Sequence, residues 1–113
     1  MNTVVVRIPG AEIADTVSFH AVMARALGLP SFYGANFDAL IDCLRSVDAP
    51  ADGMVDPAIN PGELMLLQID DADVFRRRCP REYDALIEVV GVVNQARVQA
   101  GEPPVLALAP IGA

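Results

Sequence analysis

Residues 29–47, Leu-Pro-Ser-Phe-Tyr-Gly-Ala-Asn-Phe-Asp-Ala-Leu-Ile-Asp-Cys-Leu-Arg-Ser-Val, run from a stiff, aromatic-bearing loop straight into a helix. Pro30 disfavours helical geometry at Leu29 and separates this stretch from any helix before it. Gly34 is a position able to take positive φ. Asn36 is a good N-cap, because its side-chain oxygen can accept from the free backbone N–H groups of a first turn. Phe37, Leu40, Ile41 and Leu44 then fall at i, i+3, i+4 and i+7, the apolar stripe of an amphipathic helix. Asp38, Asp42 and Arg45 repeat at i, i+4 and i+7 on a different face. An acid at Asp38 meets the positive end of the helix dipole, but Asp42 one turn later is a like charge that mildly destabilises the helix. Either Arg45 offsets it, or the pair of acids is kept for a cationic partner.

Outward from this helix, three apolar runs read as buried strands. Thr3 to Ile8 is β-branched and apolar almost throughout, the pattern of a strand buried on both faces. Leu64 to Ile69 and Val105 to Ala109 are the other two. Pro9-Gly10 stops the first, and Asp15, Thr16 and Ser18 are candidate caps for a helix with Val17, Phe19, Val22, Met23, Leu27 and Ala26 on its apolar side. His20 lies among these apolar neighbours and reads as a partly buried structural histidine, since no second ligand or nucleophile is near it in sequence. Gly28 closes that helix. Asp48 to Gly62, with three prolines and two glycines, is a long loop for a chain of this size. Asp70, Asp71 and Asp73 stand at the carboxyl end of the second strand, where α/β sheets gather ligands. They read as caps and first-turn acids of a short helix to Arg78 rather than as a cation site. Pro80 opens a long helix with Tyr83, Leu86, Ile87, Val90, Val93 and Ala96 or Arg97 on its face, ended by Gly101. The order strand, helix, helix, strand, helix, helix, strand requires crossover connections, hence an α/β fold with a parallel sheet of three strands and about four helices.

The chain has 113 residues, one domain's worth, spanning 1–113 with residues 48–62 as its long loop. Its 53% hydrophobic content suits a packed core. Fifteen acids against eight basic residues, all of them arginine, leave a net charge of −7. That field opposes nucleic acid and anionic membranes and favours basic protein partners. Cys43 and Cys79 are too few for a disulfide framework and have no zinc-like spacing, so both read as buried, inert thiols. The first residues have neither the cationic nor the apolar segment of a signal peptide, and no run is long enough to cross a bilayer. A cytoplasmic location follows as the expectation.

No Gly-rich phosphate loop, H-E-x-x-H, C-x-x-C or G-x-S-x-G occurs. A single histidine leaves no two-histidine acid–base scheme, and nothing in the sequence desolvates Asp38 or Asp42 as a catalytic pair. A phospho-acceptor site on Asp70 and Asp71 would lack the lysine and the further strands that such domains need. No enzyme, metal or cofactor is expected.

Residues 27–44, Leu-Gly-Leu-Pro-Ser-Phe-Tyr-Gly-Ala-Asn-Phe-Asp-Ala-Leu-Ile-Asp-Cys-Leu, resemble the signature of the barstar family, L-x-L-P-x-Y-Y-G-x-N-L-D-A-L-W-D-C-L. The likeness continues without gaps back to the first strand, His20 included. It implies a two-layer α/β fold of three parallel strands and four helices, whose function is to bind a cognate ribonuclease. In that family the loop and the start of the second helix plug the enzyme's active site, a helix aspartate replacing an RNA phosphate. Carried over, that aspartate is Asp42, with Asp38 beside it. Phe32 holds the place of an interface tyrosine, and Tyr33, Gly34, Asn36, Phe37, Ile41 and Arg45 complete the implied partner-binding surface. The implied partner is a basic nuclease met by a monomer of this chain. Three departures stand out. Ile41 replaces a tryptophan, Gln95 or Ala96 lies near a family glutamate, and the loop after Asp48 is longer by about a dozen residues. A barstar-like module for a non-nuclease basic partner is the alternative. The bland reading makes Asp38 and Asp42 ordinary solvated helix charges.

Overall fold

The computed structural model describes residues 2–112. In chain order it contains β1 (Thr3–Pro9), α1 (Thr16–Ala26), α2 (Phe37–Arg45), β2 (Leu64–Asp70), α3 (Ala72–Arg78), α4 (Pro80–Gln99) and β3 (Leu106–Pro110). All three strands are parallel, in the order β1-β2-β3. This is the expected α/β fold of four helices on a three-stranded sheet.

Pleating puts alternate residues on opposite faces, and the register stacks Val4, Met65 and Leu106 in one row and Val6, Leu67 and Leu108 in the next. These rows meet Phe19, Met23, Leu40, Leu44, Phe75, Leu86 and Val93 from the helices in one core. The other sheet face is more open. Val5 is 50% exposed and Arg7 lies outward, ion-paired to Asp70 at 2.9 Å. β1 is therefore buried on one face, not both, because the helices cover only the inner side of the sheet there. The β-branched run masks this, since Val4, Val5 and Val6 give no polar alternation to read.

Two helix faces differ from expectation for the same reason of phase. Val17 is 80% exposed, because two residues is more than half a turn from Phe19. On α4 the buried positions are Glu82, Leu86, Val89, Val90 and Val93, whereas Ile87 is half-exposed. Adjacent apolar pairs such as Val89-Val90 and Val92-Val93 fit either phase, so the periodicity alone does not choose. Asp70 belongs to β2 and does not cap α3. Asp71 is the N-cap by position, without a side-chain hydrogen bond, and Asp73 is the first-turn acid. Arg77 pairs with Asp73, and Arg78 donates to the carbonyls of Ala11 and Ile13, so two of the three consecutive arginines brace α3.

The long loop is tied into the core. Val55 and Ile59 are buried, the Ile59 N–H donates to the Val47 carbonyl, and the Asp56 N–H donates to Leu27. Gly28, at φ +54, lets the Asp56 carbonyl approach so closely that a Cβ there would collide with it. The loop thereby fixes the end of α1 just ahead of Pro30.

Candidate partner-binding site

α2 is delivered with its start fixed and its acids free. Asn36 is the N-cap, its Oδ1 accepting from the Ala39 N–H at 2.8 Å, while its Nδ2 donates to the Gly34 carbonyl. Leu40, Cys43 and Leu44 are buried, Phe37 and Ile41 are half-buried, and Asp38, Asp42 and Arg45 are exposed. The Phe37 ring packs against Phe19 and His20, with centroids 5.6 and 5.2 Å away. One face of α2 is thus locked to the core, so the opposite face stands in a fixed orientation.

The loop before α2 is pinned by His20. Its Nδ1 lies 2.6 Å from the Tyr33 hydroxyl. Burial pushes the Tyr33 phenol up to about 12, so it is protonated at neutral pH and can donate to Nδ1. Burial lowers the His20 pKa, and the Glu82 carboxylate works against that. Glu82 is itself buried and accepts from the Thr16 hydroxyl at 2.9 Å. Tyr33 is consequently turned inward at its polar end, whereas Phe32 beside it is 74% exposed. The left-handed residue of this loop is Ala35, at φ 52, and not Gly34. At Gly34 a Cβ would sit 3.3 Å from Asn36 Nδ2, a tight contact with the side chain that caps α2. Strain of this kind persists only where the surroundings over-determine it, and here Tyr33 and Asn36 hold either side.

Arg45 does not offset Asp42. None of the ion pairs among the described residues includes Asp38, Asp42 or Arg45. At the far end of α2 the Arg97 guanidinium grips Asp48 with two bonds of 2.5 and 2.6 Å and donates to the Arg45 carbonyl at 2.8 Å. Hydrogen bonds from Arg97 hold the Asp48 carboxyl below its usual range. By spacing alone Arg97 reads only as an alternative to Ala96 on the α4 face. Its role has no local signature, since its partner is 49 residues away. The two cysteines are free and buried, and burial raises both thiols, which keeps them protonated and unreactive.

α4 supplies the residues that no motif contains. A groove of about 180 Å³ runs between α2 and α4, with Phe37, Asp38 and Ile41 on one side and Ala85, Glu88, Val89 and Val92 on the other. Its charges are acidic on both walls. Among the described residues no group of three or more histidine, cysteine or carboxylate side chains is placed to hold a metal ion. No helix among them is long and apolar enough to cross a membrane. The arrangement is that of two exposed carboxylates on a capped helix. What it offers is a rigid, outward-facing, unneutralised acidic turn.

A family model described as Barstar (barnase inhibitor) matches residues 3–109. The chain belongs to the Barstar family. A search of curated proteins returned no match. The match spans all three strands and all four helices, save the last residue of β3. Proteins of this family are inhibitors of barnase-type ribonucleases, not enzymes.

Proposed function

We propose that this chain binds a small basic ribonuclease of the barnase type and closes its catalytic cleft with the surface formed by Phe32, Asn36, Phe37, Asp38, Ile41, Asp42 and Arg45. Tyr33 and Gly34 shape the loop that carries it. Asp42 occupies the place of an RNA phosphate among the enzyme's cationic side chains, and Asp38 flanks it. The observation that carries this reading is that both acids lie exposed and unpaired on a capped helix, while arginines elsewhere in the same chain are spent on other acids. A like-charged pair at i, i+4 costs the helix a little. A cationic cleft gives that cost a use.

The net charge of −7 steers encounter with a basic enzyme and repels its RNA, so the chain itself does not bind nucleic acid. It acts as a monomer, one per nuclease, in the cytoplasm of a cell that must survive that enzyme. The test is cleavage of a fluorogenic RNA by barnase, titrated with this chain. Stoichiometric loss of activity is expected, and activity unchanged at a severalfold excess would contradict a barnase-type partner. Co-expression separates the alternative: rescue of a host from a basic protein that cleaves no RNA would exclude the nuclease reading.

A further inference from the structure

A loop as long as residues 48–62 is usually either functional or mobile. This one is anchored, for Val55 and Ile59 are 5% and 1% exposed and belong to the central core. From those anchors it bonds the chain at two places. The Asp56 N–H donates to the Leu27 carbonyl and the Ile59 N–H to the Val47 carbonyl, both at 2.8 Å. Leu27 and Val47 bracket the whole stretch from Phe32 to Arg45. Ahead of the helix cap, that stretch has little backbone bonding of its own: the Leu29 N–H donates to Ala24 and the Tyr33 N–H to Pro30. A mere connection from α2 to β2 has no need to reach back to the end of α1.

We propose that residues 50–59 are a strap that holds both ends of the partner-binding segment in its bound shape before the partner arrives, with Val55 and Ile59 as positioning residues. The inference rests on that segment being the binding surface, as argued above. A loop that must be ordered during association lowers affinity, and one ordered beforehand does not. Fixing the two ends of a segment removes much of the freedom of the chain between them. The bond from Tyr33 to His20 and the cap at Asn36 fix the middle, and the strap fixes the ends. Val55 and Ile59 are buried, so they act only through the segment they hold.

Amide hydrogen exchange of the free chain tests the strap without any partner. The double variant Val55→Ala/Ile59→Ala leaves residues 27–47 untouched. In it the amides of Tyr33, Ala39 and Leu40 are expected to exchange faster relative to the sheet amides of the same protein, by about two- to tenfold for each backbone bond released. Val6→Ala, a core change in β1, should speed all of them alike, and Ile59→Val, which keeps the anchor, should restore the parent pattern. Binding to barnase is the second readout. The folded double variant is expected to bind about two- to tenfold more weakly, with the loss in the association rate, whereas Val6→Ala binds as the parent does. Exchange that rises equally in the sheet and in the segment, or a loosened segment that binds as tightly as before, would overturn the proposal. Should the double variant not fold, Ile59→Ala alone carries both readouts. A parent chain that fails to bind barnase contradicts the nuclease reading, and the exchange result then stands or falls by itself.

Discussion

The two ends of α2 treat carboxylates in opposite ways. Along its outer face Asp38 and Asp42 are exposed and ion-paired to nothing among the described residues; just past its end Asp48 is gripped by Arg97, with only 18% and 14% of the two side chains exposed. One helix thus separates acids that hold the fold from acids that the fold holds out. The difference lies in what α4 brings to each end. Arg97 reaches the carboxyl end, while the groove wall at the amino end carries Glu88 and valines. A cation near Asp42 would have been an easy neutralisation, and Arg45 on the same helix does not provide one.

Substitutions can break this contrast from either side. The largest expected effect is on binding. Asp42→Ala leaves a cation of the partner buried without a counter-ion, which costs about 3–5 kcal/mol, or a Kd weaker by roughly a hundred- to several-thousand-fold. Calorimetry against the nuclease measures it, and a loss below about tenfold removes Asp42 from the centre of the interface. Its unfolding midpoint should stay near that of the parent chain, since the fold uses nothing from that carboxylate.

Arg97→Ala is the mirror experiment. It removes a largely buried bidentate partner of Asp48 and a donor to the end of α2, and about 1–3 kcal/mol of stability should go with it. Urea unfolding reads the effect, and binding by the folded fraction should hardly change. The pH dependence has a definite sign. Arg97 lowers the Asp48 pKa in the folded state, so the unfolded chain takes up its proton first as pH falls. The stabilisation is complete above the ordinary carboxylate range and is lost as pH drops through the lowered folded value. Arg97→Ala should flatten that part of the stability curve, and an unchanged slope would mean that Asp48 is not the titrating group.

Much of this was legible beforehand, and the failures have a common cause. The cap at Asn36, the stripe of α2 and the parallel pairing of three strands rest on local chemistry and spacing, and all are found as read. The acids at 38 and 42 were visible as an anomaly, because helix chemistry left one of them unexplained. What was not legible depends on distant partners. Arg97 meets Asp48, Glu88 faces Phe37 across the groove, and the hydroxyl of Tyr33 turns inward to His20. The phase of α1 and α4 was blurred by valines and isoleucines on more than one side of each helix.

Smaller changes sharpen the contrast at the loop. Tyr33→Phe deletes the bond to His20 Nδ1 and should cost about 0.5–1.5 kcal/mol. The folded His20 has a lowered pKa, so stability should fall as pH drops below 6.5, where the unfolded imidazole takes up a proton first. Thermal unfolding across that range checks both statements. The smallest expected effect is a gain. Ala35→Gly relieves a left-handed alanine worth about 1–2 kcal/mol, partly offset by the freedom that glycine adds to the unfolded chain. An unfolding midpoint that falls would mean the loop is not strained at Ala35.

If a carboxylate on α2 takes the place of a substrate phosphate inside the nuclease, this chain and a nucleotide must compete for one site. Barnase is titrated with this chain at rising concentrations of a 3′-mononucleotide, and the apparent Kd is followed. The expected result is mutual exclusion, with the apparent Kd rising in proportion to nucleotide until binding is displaced. A ternary complex, with affinity for the chain unchanged at saturating nucleotide, would contradict it.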